Sequence, residues 1–390
     1  MQRATLHRLL DQLRAPGGGM LAPRRADGGV RPAFRVPAAR YLDAAHFERE
    51  RAALFGGMSG GRLHGPPRVI AASAALAAGG CLPVDLPGVS LILTRGGDGA
   101  VRALANACRH RATRLVDAPC TAKALVCPYH GWTYDLGGKL LHVPHAEAFA
   151  DGDRRDLPVL PVAERHGLIW LGAAAGDRVA GHLGELDADL AALELGRHAV
   201  WRSRRQTRTC NWKLIVEAFL DAYHIRILHR DTVHRFFLDA SSIAEPVGPH
   251  IRAVSARRTL REAPPELPAD GNLRALGTAS YLVAPATIVV VHPDSVSVQI
   301  LHPRSVGETD YEHILLVPAD RLDDAVHWDK NWALLDEAVF QREDLWVCEQ
   351  AQRGLATGTS DALVFGELES AVRDFHATID AAIDAVPAVA

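Results

Sequence analysis

The chain has 390 residues, 48% hydrophobic and 23% charged, with 43 Lys and Arg against 46 Asp and Glu. That is ordinary soluble globular usage, enough for about two domains, and it argues against a disordered, collagenous or coiled-coil protein. A net charge of −3 points to no nucleic-acid partner, and no apolar run approaches the ~18–20 residues of a membrane span.

Residues 7–13 read as a short helix, broken by Pro16-Gly17-Gly18-Gly19. The N-terminus mixes apolar and charged residues without the apolar core of a signal peptide, so a cytoplasmic location is expected. Six cysteines are too sparse for a secreted disulfide scaffold, which leaves reduced thiols available as metal ligands. Residues 15–35 are rich in Gly, Pro and Arg and read as an arm. Gly17 to Ala22 formally fits a G-x-G-x-x-A string, but no strand precedes it, so the dinucleotide reading fails its context. Asp43 is the expected N-cap of a helix reaching about Leu54-Phe55.

From about residue 69 to 171 the texture changes to short β-prone pieces, such as 89–94 and 168–171. Gly96-Gly97-Asp98-Gly99 and Gly137-Gly138 sit where hairpins would turn. From Trp201 onward the pattern is α+β. Residues 212–223 form a helix candidate, and 287–291, 295–302 and 311–317 are strand candidates of an antiparallel meander. Residues 320–353 read as helix closed by Arg353-Gly354, and a last helix covers about 367–385. The stretch 231–280 carries no motif. Its Arg252, Arg257, Arg258 and Arg261 read as a solvated or interface patch rather than an anion site.

Two Cys-His pairs stand out. Cys108-Arg109-His110 is followed, after sixteen residues, by Cys127-Pro128-Tyr129-His130-Gly131-Trp132. Each pair lets one loop supply two ligands, and the hairpin between them brings the loops together. A structural Cys₂His₂ zinc site is the competing reading, although a zinc ribbon more often opens with Cys-x-x-Cys. Residues 108–132 resemble the Rieske [2Fe–2S] motif, in which two cysteines hold one iron and two histidines the other. Where that motif often has Gly after His-Arg, this chain has Ala112, a position that shapes a turn and holds no metal.

A second constellation begins at Asn211-Trp212-Lys213 and continues through Glu217, Asp221, Tyr223, His224 and His229. On a regular helix five residues turn roughly 140°, so His224 and His229 can share a metal only if the helix ends or loosens between them. Asp221, three before His224, would share its helix face. The downstream acids available as a third ligand are Asp336, Glu337, Glu343, Asp344, Glu349 and Asp374.

Taken with the Rieske motif, Asn-Trp-Lys … Asp-x-Tyr-His-x-x-x-x-His resembles the catalytic domain of Rieske non-haem iron oxygenases, in their large (α), aromatic-ring-hydroxylating subunits. The resemblance implies an N-terminal all-β Rieske domain and a C-terminal α+β catalytic domain, its antiparallel sheet wrapped round a long helix in helix-grip, START-like fashion. The corresponding boundaries are an arm over 1–40, a Rieske domain with its leading helix over 41–185 and a catalytic domain over 186–390. Cys108, His110, Cys127 and His130 would hold the [2Fe–2S] cluster. His224, His229 and Asp344 would hold a mononuclear Fe(II) as a 2-His-1-carboxylate triad. Asp344 is preferred because Glu349 and Gln352-Arg353-Gly354 follow it at the family's spacing, with Glu343 as runner-up.

Asp221 would bridge cluster-side His130 of one subunit to iron-side His224 of the next around a homotrimer, with Asn211 and Tyr223 in supporting roles. Electrons would come from a separate flavin reductase drawing on NADH or NADPH, and a ferredoxin could stand between. A β subunit, where one exists, is another chain. The expected reaction is hydroxylation or dihydroxylation of a small aromatic compound, or alternatively oxidative removal of an N-methyl or O-methyl group. Two other classes compete: a Rieske electron carrier without oxygenase activity, and a ligand-binding module without iron.

Overall fold

The computed structural model describes residues 1–15, 33–56, 58–59, 62–172, 176–264 and 273–386. The glycine-rich string at 17–22, and most of the arm expected over 15–35, lie outside them. The chain divides into two compact units, one of residues 1–55 with 183–390 and one of 56–182. This departs from the expected boundaries, because the first two helices belong to the larger unit. Helix α1 (Arg3–Arg14) buries Leu6, Leu9, Leu10 and Leu13, the i, i+3, i+4, i+7 stripe of a core-facing helix. Helix α2 (Ala44–Glu50) starts where the sequence indicates, with Asp43 Oδ1 accepting from Ala45 N–H at 2.7 Å, a cap worth about 1 kcal/mol. It continues in wide turns to Phe55, whose ring stands edge-on to Trp212 at 5.3 Å.

The smaller unit is mostly β, with an α-helix, Gly176–Leu183, at its end. Strands β1 (Arg68–Ala72), β2 (Gly80–Leu86), β3 (Val89–Arg95), β4 (Val101–Ala105), β5 (Leu125–Val126), β6 (Thr133–Tyr134), β7 (Leu140–His142) and β8 (Leu168–Leu171) lie in three small sheets. The β3–β4 hairpin turns at the predicted glycines, where Gly99 has φ 76° and its N–H donates to Gly96 O at 3.0 Å. One core gathers Ile70, Leu91, Leu93, Ile169 and Leu171. A second gathers Cys108, Cys127, Trp132 and Tyr134.

The larger unit is built on a seven-stranded antiparallel sheet. Its strands are β9 (His198–Arg208), β10 (Phe237–Val247), β11 (His250–Arg257), β12 (Gly277–Val283), β13 (Thr287–Val291), β14 (Val296–Ser305) and β15 (Glu308–Pro318). Strands β13 to β15 form the expected meander, β12, β11 and β10 extend it from residues that carried no strand signal, and β9 pairs with β15 at the far edge. On one face Ile251, Leu282 and Ile288 pack with α3 (Trp212–Leu220) and with α6 (Ser370–Asp384), whose Val372, Phe375 and Ile379 join the same core. The same strands then present small side chains: Ala253 and Ser255 on β11, opposite Ser280 and Thr278 on β12. Large residues at one end and small ones at the other leave a cavity between sheet and helices.

Helix α3 is shorter than predicted. It stops at Leu220, and Asp221 is already extended. A single turn, α4 (Ile225–Leu228), follows. Helix α5 runs as regular turns over Ala325–Trp332, as wide i→i+5 turns over Ala333–Asp344 and as regular turns again over Leu345–Ala356. It passes through Gly354, and the left-handed residue beyond its end is Gly358, φ 69°. No described helix is long and apolar enough to cross a membrane.

Candidate metal centres

Cys108 and Cys127 open two loops of the same construction. In each, the cysteine N–H donates to the carbonyl five residues on, Thr113 or Trp132, at 2.8 Å. The cysteine carbonyl accepts from the N–H four residues on, Ala112 at 2.9 Å or Gly131 at 3.0 Å. That fourth residue is left-handed in both loops, φ 57° at Ala112 and 74° at Gly131. Glycine adopts this backbone freely, whereas an L side chain is disfavoured by roughly 1–2 kcal/mol. Ala112 is therefore a strained turn residue, in keeping with the shape role expected of it.

Both sulfurs belong to buried residues, and the imidazoles of His110 and His130 lie with centroids 4.7 Å apart. Trp132 stacks on His110 at 5.1 Å, and Tyr129 stacks on the exposed His130 at 3.8 Å. His110 Nδ1 is buried without a hydrogen-bond partner, an arrangement that is costly unless something binds it. Tyr134 Oη accepts from Arg109 N–H at 3.0 Å and lies 3.3 Å from Cys108 Sγ, so its own proton is free to point at sulfur. Two thiols from matched loops and two imidazoles, one with an orphaned nitrogen, fit a binuclear cluster of the Rieske kind.

The second centre depends on α3 ending early. The chain leaves the helix at Asp221, and α4 then carries His224 at its start and His229 at its end. The 140° obstacle disappears because the two residues flank a single turn. Their rings are 4.9 Å apart, with Nε2 to Nε2 at 3.1 Å. From α5, Asp344 Oδ1 approaches His229 Nε2 at 3.1 Å and His224 Nε2 at 3.5 Å. These three side chains are the cluster of metal-ligating type among the described residues.

The opposite nitrogens are occupied. His224 Nδ1 meets Asp221 Oδ2 at 3.1 Å, and His229 Nδ1 meets Glu343 Oε2 at 2.7 Å, which also accepts from Thr232 Oγ1 at 2.8 Å. With each Nδ1 proton given to a carboxylate, both Nε2 lone pairs converge on the same point as Asp344 Oδ1. That oxygen is buried without a well-directed hydrogen bond. Three carboxylates around two imidazoles repel one another unless a cation sits among them, so the donor set fits a metal ion. Burial works against the charged form of His229, but Asp344 and Glu343 outweigh it and raise its pKa.

Glu343, the sequence runner-up as ligand, thus faces the other nitrogen of His229. Asp221 reaches His224 from an extended segment rather than from a shared helix face. The other candidate acids lie elsewhere. Asp336 pairs with His313 Nδ1 at 2.9 Å, and Glu337 faces Arg204 at 3.6 Å. Glu349 accepts from Thr209 N–H at 3.1 Å, and Gln352 accepts from Asn211 N–H at 2.9 Å. Those two contacts give the downstream spacing a physical cause, since they lock the helix carrying Asp344 to the entry of α3. Asp374, on α6, has a pKa raised by burial.

The Asn-Trp-Lys motif acts in the same framework. Asn211 caps α3 by accepting from Lys213 N–H at 3.0 Å. Trp212 Nε1 at 3.1 Å and Lys213 Nζ at 2.8 Å both donate to Glu50 of α2. Glu217 turns away from the metal ligands, to Tyr41 Oη at 2.6 Å and His376 Nε2 at 2.9 Å. Tyr223 is 60% exposed. Glu50, Tyr41 and His376 carried no signal in the sequence, because each acts through a partner far along the chain.

His224, His229 and Asp344 line the wall of the cavity, which measures about 310 Å³, at the small end of ligand clefts. Phe219, Val290, Leu334 and Phe340 supply apolar wall, and Arg257 and His292 also line it. Arg257 is therefore not the solvated patch residue expected. Behind His292 runs a buried chain. His292 Nε2 meets Ser297 Oγ at 2.9 Å, Ser297 Oγ meets His313 Nε2 at 3.0 Å, and His313 Nδ1 meets Asp336 Oδ1 at 2.9 Å. Burial holds His292 far below the usual imidazole range, at about 3, and also lowers His313.

The comparisons with known proteins agree with this geometry. The family described as Rieske [2Fe-2S] domain matches residues 67–161, and the family described as ring hydroxylating alpha subunit (catalytic domain) matches residues 192–385. The glycine betaine monooxygenase oxygenase subunit of Chromohalobacter salexigens is 33% identical over 162 residues, covering 40% of this chain and 36% of its own. The chlorobenzene dioxygenase subunit alpha of a Cupriavidus species is 37% identical over 147 residues, 34% of this chain and 32% of its own. The matched stretches thus span about a third of those relatives' lengths. The crystal structure of naphthalene 1,2-dioxygenase from a Rhodococcus species shares the fold, with a TM-score of 0.72 at 18% identity over 99% of this chain and 100% of that one. With both family signatures in this order on one chain, each over its own metal-ligand set, the protein belongs to the Rieske non-haem iron oxygenases as an α-subunit-type member.

Proposed function

We propose that this chain is the oxygenase component of a multicomponent system that hydroxylates or dihydroxylates a small organic compound with dioxygen. The observation that carries the reading is the convergence of His224 Nε2, His229 Nε2 and Asp344 Oδ1 in the wall of an apolar cavity. Fe(II) held there by these three residues would supply the unpaired electrons that let dioxygen react with a closed-shell organic molecule. In this reading Cys108, Cys127, His110 and His130 hold the electron-storing cluster, and His224, His229 and Asp344 hold the iron.

The chain's own residues then have separable duties. Asp221 and Glu343 hold the two iron-side imidazoles by their Nδ1 atoms and fix their orientation. The apolar wall excludes bulk water and confines the substrate. Asp221, already on His224 and half-buried, joins that imidazole to His130 of a neighbouring copy in a homotrimer. The exposure of His130 suits it to that contact. Electrons enter from a separate flavin reductase using NADH or NADPH, directly or through a ferredoxin, in the cytoplasm.

Incorporating both oxygen atoms, or one with the other leaving as water, consumes two electrons and two protons per turnover. Likeness to a glycine betaine monooxygenase subunit favours a second reading, oxidative removal of an N-methyl or O-methyl group. Iron and acid-labile sulfide analysis, followed by dioxygen uptake with a surrogate reductase over a substrate panel, tests both. About three iron and two sulfide per chain, with labelled oxygen in the product, supports the oxygenase. Formaldehyde release identifies demethylation, and an alcohol or diol identifies hydroxylation. Two iron per chain without substrate-dependent dioxygen uptake would leave only an electron carrier.

A further inference from the structure

We infer that Arg257 binds a carboxylate on the substrate, so that the cavity takes compact apolar carboxylic acids. The inference rests on the oxygenase reading of the same cavity and adds the class of compound it receives. Residues 253, 255 and 257 point to one face of β11, and Ala253, Ser255 and Arg257 all line the cavity. The neighbours of Ser255 on that face are small, Ser242 on one side and Thr278 on the other, while Arg257 itself stands across from Phe237.

The guanidinium's Cζ lies 5.2 Å from the ring centroid of Phe236 and 5.5 Å from that of Phe237. Its edge carries five N–H donors. One of them, on Nη1, reaches Thr278 Oγ1 at 3.3 Å. Among the described residues no carboxylate lies within ion-pair distance of it. Asp294, the acid that acts on it through space and also lines the cavity, is bound by His327 Nε2 at 2.6 Å.

A half-buried guanidinium set against two rings, with edge donors that no acid takes up, is arranged for bidentate recognition of a planar anion. Burial already disfavours its charge, and a ligand carboxylate would relieve that cost. His292, kept neutral by burial, adds no second cation to the wall. Phe219, Val290 and Phe340 accommodate the apolar body.

Calorimetric titration of the iron-loaded protein compares benzoate with benzamide, and cyclohexanecarboxylate with its amide. Each acid should bind about tenfold or more tightly than its amide, as a charge-assisted pair predicts. Arg257→Met should abolish the difference, and Arg257→Lys should keep part of it. Circular dichroism and the cluster's paramagnetic resonance signal report whether each variant folds. If neither does, the wild-type comparison decides by itself. Amides binding as well as acids, no acid binding at millimolar concentration, or a preference that survives in Arg257→Met would overturn the inference. Binding needs no turnover. A protein that prefers acids yet consumes no dioxygen sinks only the oxygenase reading, and one that oxygenates neutral compounds while ignoring acids sinks only this one.

Discussion

The two candidate metal-ligand sets are built in opposite ways. Around Cys108 and Cys127 each loop is closed by its own backbone, through paired hydrogen bonds four and five residues apart, and the neighbours are aromatic rings. Around His224 and His229 the local backbone only ends one helix and starts another, the third donor arrives from α5, and the neighbours are carboxylates. A site closed by local hydrogen bonds survives as a contiguous motif. A site closed by side chains from distant elements depends on the packing of the whole unit.

Substitutions sharpen that contrast. Asp221→Ala should have the largest effect, since it leaves every metal-binding atom in place and removes the acid on His224. Turnover should fall about a hundredfold or more with iron content intact. Rapid reoxidation of the reduced cluster in the variant, with substrate and dioxygen present, would sink the role. Glu343→Gln removes the charge behind His229 and should weaken iron binding by about tenfold to a hundredfold, read by chelator competition, without altering the cluster signal. Tyr134→Phe is the counterpart in the other unit. Losing the donor near Cys108 Sγ should lower the cluster's reduction potential by ~20–60 mV, the equivalent of one hydrogen bond for a one-electron couple, measured by redox titration.

Acid separates the units by a different route. His292 and His313 have pKa values lowered in the folded state, His292 to about 3 from 6.5. Between those values the unfolded chain binds more protons, so the stabilisation is complete above pH 6.5 and is lost as the pH falls toward 3. The larger unit's melting temperature should drop by several degrees on going from about pH 6.5 to about pH 4, and His292→Gln should flatten that slope. A slope unchanged in the variant would assign the acid sensitivity to other groups. Ala112→Gly should have the smallest effect, a gain of about 1 kcal/mol from relieving a left-handed alanine, seen as a higher melting temperature for the smaller unit with an unchanged cluster spectrum.

Much of this was legible in advance for stated reasons. Asp43 as a cap, the Gly96–Gly99 turn and the 287–317 meander obey local rules of backbone and periodicity. The ends of helices were less legible. Residue 221 still looked helical because nothing nearby breaks the pattern, yet the chain leaves the helix there to meet His224. Gly354 looked like a stop, but α5 continues to Ala356 because Leu355 is buried. The helix after Asp43 belongs to the larger unit, a placement no local signal carries, since its Glu50 answers Trp212 and Lys213 far along the chain.

The order of residues alone determined the ligand-type side chains and their loop spacing, because these are properties of neighbouring residues, and the class of enzyme followed from the resemblance those motifs carry. Only the folded chain decided that Glu343 backs His229 while Asp344 faces the metal position, that Arg257 turns inward and that His292 is anchored to Asp336 through Ser297 and His313. Those relations join side chains on different strands and helices, and which of them meet is set by how the sheet and helices share one core.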